Sequence, residues 1–550
     1  MGKIIVVGGV AGGATAVARI RRLDENAEII MFERGEHISF ANCGLPYHVG
    51  GTISDRKALL LQTPDGFSAN YKVDVRVQSE VLSIDRDAKT VAVFNKWTGE
   101  TYEENYDKLL LAPGGAPIRP PVGGMDSDLV FTLRNVADAD RILEHISENK
   151  PERAVVAGGG FIGIEMAENL KAAGLDVTIV ELAEQVIAPL DTDMVCDVHQ
   201  HLGRQEIFLR LGSGLRKFTE VEDGLIVELG AGAVNTDMAV LAIGVTPESE
   251  IAKEAGLETN ERGGILVDRN MRTSDPDIFA VGDAVEIINF VTGQAEMIPL
   301  AGPANKQARI AADNICGIES EYTGTQGSAV IKVFDMTVAF TGVNEKTARK
   351  LELDYDKVFL WSQGHAGYYP GAKYMSIKVI FENGSGRILG AQLVGYDGVD
   401  KRCDVFATAI RAGMTAYDLT RLELCYAPPY SSAKDPVNMA GYMIENVLSG
   451  KVKNFHWHDV DALPRDGSVT LLDVREPREY ERGSIEGFAN IPHSRIRESV
   501  GELDPAKPVY VHCHSGMRSY LSSRILSQNG FDAYNLSGGY RLYAATRNRK

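Results

Sequence analysis

KIIVVGGVAGGATAVARIRRL (residues 3–23) and RAVVAGGGFIGIEMAENLKAAGLDVTIVEL (residues 153–182) spell one pattern twice in a single chain. Each opens on a β-branched apolar run that reads as a buried strand, turns on glycines and continues as a helix of small and apolar residues. A second strand follows each, EIIMFER reaching Glu33 in the first copy and DVTIV reaching Glu181 in the second. This is the dinucleotide-binding pattern: glycines let the backbone approach a pyrophosphate at a helix N-terminus, and the acid accepts a ribose hydroxyl. The second copy is complete, with Gly158, Gly160 and Gly163; the first has Gly8 and Gly13 but Val10 at the middle glycine position. Either copy alone could be a glycine-rich turn. Two copies, each with its acid, predict an α/β chain containing two Rossmann-like domains.

The remaining length leaves room for more, since 550 residues correspond to about three or four domains. The composition, 44% hydrophobic and 24% charged, is that of a soluble globular protein. A formal net charge of −18 argues against nucleic-acid and anionic-membrane partners, whose phosphates need clustered Lys and Arg. No apolar run reaches about 18 residues, and MGKIIVVGG enters a strand directly without a signal-peptide core, so a cytoplasmic location is expected.

Six cysteines (Cys43, Cys196, Cys316, Cys403, Cys425, Cys513) are widely spaced, with no CxxC and no metal-ligand spacing. Cys43 lies in SFANCGLPY (39–47), where the Gly44 and Pro46 that follow suggest a turn or helix start able to stabilise a thiolate. Cys513 lies in VHCHSGMRS (511–519), a strand running into small residues, Arg518 and a helix. Such a loop can curl its N–H groups around an anion on sulfur. Cys196, Cys316 and Cys403 have no motif around them and read as structural. Glu181 with no following arginine favours NADH over NADPH.

The two fingerprints, LLLAPGGAP (109–117) and TSDPDIFAVGDA (273–284), in this order, resemble the two-dinucleotide-binding flavoprotein disulfide reductases over roughly residues 1–450. The resemblance implies an FAD-binding domain from 1–112 and 245–321, an NAD(H)-binding domain at 113–244 and an α+β dimerisation domain at 322–450. FAD would then lie on Gly8, Gly9, Gly13, Glu33, Arg34, Pro113, Gly114, Asp283 and Ala301, and the nicotinamide cofactor on Gly158, Gly160, Phe161, Gly163, Glu181 and Gly244. SFANCGLPY lacks the second cysteine of the glutathione-reductase-like members. It is similar to the single-cysteine branch of coenzyme A disulfide reductases, persulfide and polysulfide reductases, and NADH oxidases and peroxidases. LAGPANKQAR (300–309), YYPGA (368–372) and YAPPYSS (426–432) resemble the members acting on coenzyme A derivatives. They imply Cys43 as the redox thiol, with Tyr369 and Tyr426 contributed by the partner subunit of a homodimer. Ser39, Asn42, Asn305, Arg19, Arg22 and Arg309, with Arg21 and Lys306 nearby, would take coenzyme A as substrate or tightly bound ligand. With one protein thiol, the oxidised form of Cys43 is either a mixed disulfide with a substrate sulfur or a sulfenic acid whose oxygen comes from oxidant.

From LLDVREPREY (471–480, containing Asp473 and Arg475) through VHCHSGMRS to the SGGY of YNLSGGY (534–540), the C-terminus resembles a single-domain rhodanese over 466–550, after a linker at 451–465. That family implies a persulfide on Cys513, with Arg518 as a further positive charge. Phosphatases sharing the fold use the same five-residue step from Cys513 to Arg518, so spacing does not separate them; LLDVREPREY and the flavoprotein partner favour sulfur. The expectation is an NADH-dependent persulfide, polysulfide or coenzyme A disulfide reductase. An NADH oxidase or peroxidase, disfavoured by Ala11 where those members usually carry histidine, and a flavin-based redox-sensing binding protein stay open as alternatives.

Overall fold

A computed structural model describes residues 2–547. The chain forms two compact units, Met1–Val186 with Glu206–Gly327, and Ile187–Gln205 with Ser328–Lys550.

In the first unit, the opening run KIIVV is a strand, Lys3–Val7, whose Ile4, Ile5 and Val6 are buried. It is central to a five-stranded parallel sheet in the order Ile278–Ala280, Lys108–Leu111, Lys3–Val7, Glu28–Phe32, Asp74–Arg76. Strand Ile278–Ala280 joins this sheet from far along the sequence, pairing with Lys108–Leu111. The second fingerprint forms another five-stranded parallel sheet, Phe208–Arg210, Asp176–Val180, Arg153–Ala157, Met238–Leu241, Val130–Thr132. The near-continuous apolar strands reflect covering on both faces, as parallel sheets demand. The two copies match in register: Lys3 pairs with Glu28 through to Val7 with Phe32, and Arg153 with Asp176 through to Ala157 with Val180.

In the second unit, a five-stranded antiparallel sheet runs Ala329–Val333, Met336–Gly342, Ile388–Gly395, Tyr374–Glu382, Tyr355–Gln363. Beyond it a parallel sheet runs Lys453–Phe455, Ala533–Leu536, Val509–His512, Thr470–Asp473, Ala489–Asn490. Two expected boundaries change. The stretch read as a linker, 451–465, supplies the strand Lys453–Phe455 and the turn Val460–Ala462, and so belongs to the C-terminal fold. Residues Ile187–Gln205, read as part of the 113–244 domain, group with the second unit.

A buried charge cluster explains that second change. Lys378 is fully buried on strand Tyr374–Glu382, and its Nζ lies 3.0 Å from Asp191, 3.0 Å from Asp193 and 2.7 Å from Glu345. Asp191 and Asp193 flank the start of helix Thr192–Arg204, so one ammonium ties that helix to the sheet. Lys357 pairs with Glu345 as well. Removing one partner of such a cluster leaves uncompensated buried charge, so Lys378→Met is expected to cost about 3–5 kcal/mol of unfolding free energy, read from urea denaturation of the holoenzyme.

No helix among the described residues is long and apolar enough to cross a membrane.

Candidate active site

Both glycine turns are built so that only glycine fits. Gly8 (φ +98°) has no room for a Cβ, which would lie 2.2 Å from the Ala112 carbonyl oxygen; Gly158 (φ +111°) meets the Ala242 oxygen at the same distance. A Cβ on Gly13 would sit 1.8 Å from Gly8 O, and one on Gly163 would sit 1.9 Å from Gly158 O, so each helix packs directly on its turn. Val10, in place of the usual middle glycine, is the N-cap of helix Ala11–Leu23, whereas Gly160 caps Phe161–Ala172 and faces open space.

Each acid is aimed back at its own turn. Glu33 accepts from Gly9 N at 2.8 Å and Gly35 N at 2.8 Å; Glu181 accepts from Gly159 N at 2.7 Å and Ala183 N at 2.8 Å. Gly282, which precedes Asp283, donates its N–H to Gln307 at 2.8 Å, and burial raises the Asp283 carboxyl pKa against the pull of Arg134. Gly114 (φ +74°) and Gly244 (φ +122°) form the neighbouring turns, Pro113 offers its carbonyl to Arg134, and Ala301 opens helix Ala301–Ile315. Arg34 is paired with Glu248, which Arg134 also holds. These narrow glycine cradles with an acid at each strand end fit an FAD at the first turn and a nicotinamide dinucleotide at the second.

Cys43 is a free, exposed thiol on the short turn Asn42–Gly44, which leads into helix Leu45–Val49. Ser39, in the left-handed region at φ 44°, donates its N–H to Gly9 O at 2.9 Å and so ties the segment to the first glycine turn. The expected stabilisation of the Cys43 thiolate by helix-start donors is not what the chain supplies. Surrounding protein, then Glu165, then Asp283, raise the thiol pKa. Glu165 lies on helix Phe161–Ala172, which packs against Leu45–Val49, and Tyr47 Oη donates to it at 3.1 Å. Burial also pushes the Glu165 carboxyl up. Sequence reading missed this pair, although Tyr47 stands four residues beyond Cys43 on a helical turn.

The candidate basic pocket is only partly assembled. Arg19 Nε donates to Asp313 at 2.7 Å, and Arg21 is buried and bound to backbone carbonyls, including those of Tyr71 and Ala27; neither offers a free charge. Arg22, Lys306 and Arg309 are exposed, as is Asn42, and Asn305 accepts from Thr15 at 2.6 Å, joining the two packed helices that carry them. In the other unit Tyr369 and Tyr426 are 43% and 49% exposed, and Tyr426 Oη lies 2.9 Å from Tyr368 Oη, a partner that sequence reading missed. Cys425 is exposed beside Tyr426; Cys196 and Cys403 are buried, and Cys316 is half-buried.

Cys513 sits in the expected cradle, at the end of strand Val509–His512 and before helix Met517–Gln528. Its Sγ accepts from Gly516 N at 3.2 Å and Ser519 Oγ at 3.3 Å, and Ser519 is held by Asn535 at 2.7 Å. Beneath it Asp473 and Arg475 form a buried, multiply hydrogen-bonded pair. Burial holds neighbouring His512 neutral, with its pKa lowered to about 4. Arg518, expected as a further positive charge, is near enough to Cys513 to feel its charge and also donates twice to Glu479.

Comparison with known proteins agrees with this geometry. Residues 2–308 match the family model of pyridine nucleotide-disulphide oxidoreductases, 328–436 the dimerisation domain of that family and 456–546 the rhodanese-like domain. A coenzyme A disulfide reductase of Staphylococcus haemolyticus is 38% identical over 443 residues, covering 80% of this chain and 99% of that protein. The crystal structure of reduced Bacillus anthracis CoADR-RHD is 50% identical with a TM-score of 0.97, covering 99% of this chain and 98% of that one. An NAD-dependent persulfide reductase from A. fulgidus is 38% identical with a TM-score of 0.91, covering 98% and 100%. With paired glycine cradles, a dimerisation fold and the Cys513 loop in one polypeptide, the chain belongs to the flavoprotein pyridine nucleotide-disulphide oxidoreductases and carries a C-terminal rhodanese domain.

Proposed function

We propose that this enzyme is an NADH-dependent reductase of coenzyme A disulfide, coenzyme A persulfide or polysulfide, in which Cys43 is the one redox thiol and the rhodanese domain handles sulfane sulfur. The observation that carries the reading is Cys43 itself: a free, exposed thiol tied to the first cofactor turn, with the next cysteine of the sequence at Cys196. Bound FAD, reduced by NADH, supplies the two electrons that restore the Cys43 thiol.

The Cys43 thiolate attacks the disulfide or persulfide sulfur attached to the organic group. A mixed disulfide forms, and a thiolate or hydrosulfide leaves with the electron pair of the broken S–S bond. For a persulfide the balance is RSS⁻ + NADH → RS⁻ + HS⁻ + NAD⁺. Tyr47 and Glu165 hold a proton beside the Cys43 turn. Glu181, its carboxylate at the end of the second cofactor strand, accepts from a 2′-hydroxyl and repels a 2′-phosphate, which favours NADH. Arg22, Lys306 and Arg309 supply positive charge for the coenzyme A phosphates. Tyr369 and Tyr426, both within the dimerisation domain, serve the partner subunit's thiol.

The test is the steady-state rate of NADH oxidation with the three sulfur substrates and with O₂ and H₂O₂. At least about tenfold higher kcat/KM with a sulfur substrate, equivalent to about 1.4 kcal/mol, and a preference for NADH over NADPH are expected. Faster turnover with O₂ or H₂O₂ would replace this reading with that of an oxidase or peroxidase, and no turnover with any acceptor would favour a redox sensor.

A further inference from the structure

The loop around Cys513 has an anion cradle and an arginine, equipment that would also suit an inorganic oxyanion. The arginine, however, is already engaged. Arg518 Nη1 donates to Glu479 Oε2 at 2.6 Å and Nη2 to Glu479 Oε1 at 2.8 Å, a two-pronged pair that uses both carboxylate oxygens. Glu479 is fixed in turn. It stands in the first turn of helix Pro477–Glu481, and its Oε2 accepts from Glu476 N at 3.1 Å. Arg518 is the main reason the Glu479 carboxyl pKa is pushed down to about 2, so the acid stays ionised across the physiological range.

The other charges near the sulfur are matched too. Arg475 is buried against Asp473, and Arg541 donates to Asp197 at 2.7 Å. His514 and His493 are held toward the neutral form, chiefly by burial. Beside the loop lies a cavity of about 180 Å³ whose lining includes Trp361, Tyr442, Met517, Asn454, Asn535 and Ser515, with no charged side chain among its walls. Such a surface suits hydrocarbon and amide groups and offers no charged side chain to a small dianion.

We propose that Glu479 is a specificity-determining residue of the Cys513 site: by holding Arg518 in a bidentate pair it withholds the guanidinium from dianionic oxyanion donors and reserves the loop for sulfane sulfur carried on an organic thiol. This rests on the reading of Cys513 as a sulfane-sulfur acceptor. The chemistry is the same for both donor types. The Cys513 thiolate attacks the sulfane sulfur, a new S–S bond forms, and the donor's S–S bond breaks with its electron pair going to the leaving group. That group is sulfite from thiosulfate or a thiolate from an organic persulfide. Cyanide then removes the sulfur as thiocyanate and regenerates the thiolate. The two donors differ in charge and in the groups surrounding the transferred sulfur, which are what Glu479 and the uncharged cavity distinguish.

The experiment compares the full-length holoenzyme with its Glu479→Gln variant, using thiosulfate and glutathione persulfide as donors and cyanide as acceptor. The ratio of kcat/KM for thiosulfate to that for the persulfide is expected to rise at least about tenfold in Glu479→Gln. Its thiosulfate activity should fall more steeply with added salt, and Glu479→Asp should restore the low ratio. As a binding measurement, sulfate should protect Cys513 of the variant from iodoacetamide at concentrations that leave the wild type unprotected. Should Glu479→Gln not accumulate as folded protein, Glu479→Ala, which likewise releases the Arg518 fork, carries the same expectation. An unchanged ratio, or equal losses with both donors, overturns the proposal while leaving Cys513 as sulfur acceptor. Absence of transfer from either donor to wild-type Cys513 overturns that underlying reading, and the proposal with it.

Discussion

Replacing Cys43 with serine is expected to lower NADH oxidation with coenzyme A disulfide or persulfide on the order of 10³-fold, about 4 kcal/mol of barrier. A serine hydroxyl cannot form the mixed disulfide. The named neighbours of Cys43 are acidic: Glu165 and Asp283 both work against an anion at this position. The substitution removes one sulfur from an exposed turn and leaves both glycine cradles intact, so the FAD spectrum and NADH binding should persist. Retention of these two signals beside lost turnover, measured by absorbance at the flavin bands and by NADH titration, separates a lost nucleophile from a lost fold.

Cys513→Ser should have the complementary effect. Sulfane-sulfur transfer to cyanide is expected to fall on the order of 10³-fold, because Gly516 N and Ser519 Oγ would then surround a hydroxyl in place of a thiolate. NADH oxidation with coenzyme A disulfide, which contains no sulfane sulfur, should change less than about twofold. With polysulfide as substrate, sulfide release should slow while the reduction at Cys43 continues. Parallel thiocyanate and NADH assays check the pair of outcomes.

Much of this architecture was legible in the chain. The glycine turns announce themselves because a strand, a positive-φ turn and a tightly packed helix leave no alternative at Gly8, Gly13, Gly158 and Gly163. Cys513 was legible for a similar reason: its loop must curl, and its small residues permit the curl. What escaped were pairings between residues far apart in sequence. Glu479 meets Arg518 across 39 residues, and Lys378 meets Asp193 across 185. On strand Tyr374–Glu382, buried throughout from Met375 to Phe381, Lys378 is fully buried with three carboxylates converging on it, partners that lie far away in sequence. The same limit applies to Arg19, expected with Arg22 to take coenzyme A while Asp313, 294 residues away, holds its charge. Strand Lys453–Phe455 was too short and too polar to show a two-residue period, and only its pairing with Ala533–Leu536 reveals it.

The rivals divide on what Cys43 is oxidised to. An oxidase or peroxidase would carry Cys43 through a sulfenic acid formed by oxidant, whereas a disulfide or persulfide reductase carries it through a disulfide with substrate. The most direct measurement is therefore mass spectrometry of the holoenzyme, prepared with Cys43 as the free thiol and freed of excess reductant, after incubation with coenzyme A disulfide in the absence of NADH, followed by peptide mapping. One coenzyme A per chain is expected, attached to the peptide containing Cys43 and released by NADH. No adduct, or an adduct on Cys425 or Cys513 with Cys43 unmodified, would contradict it.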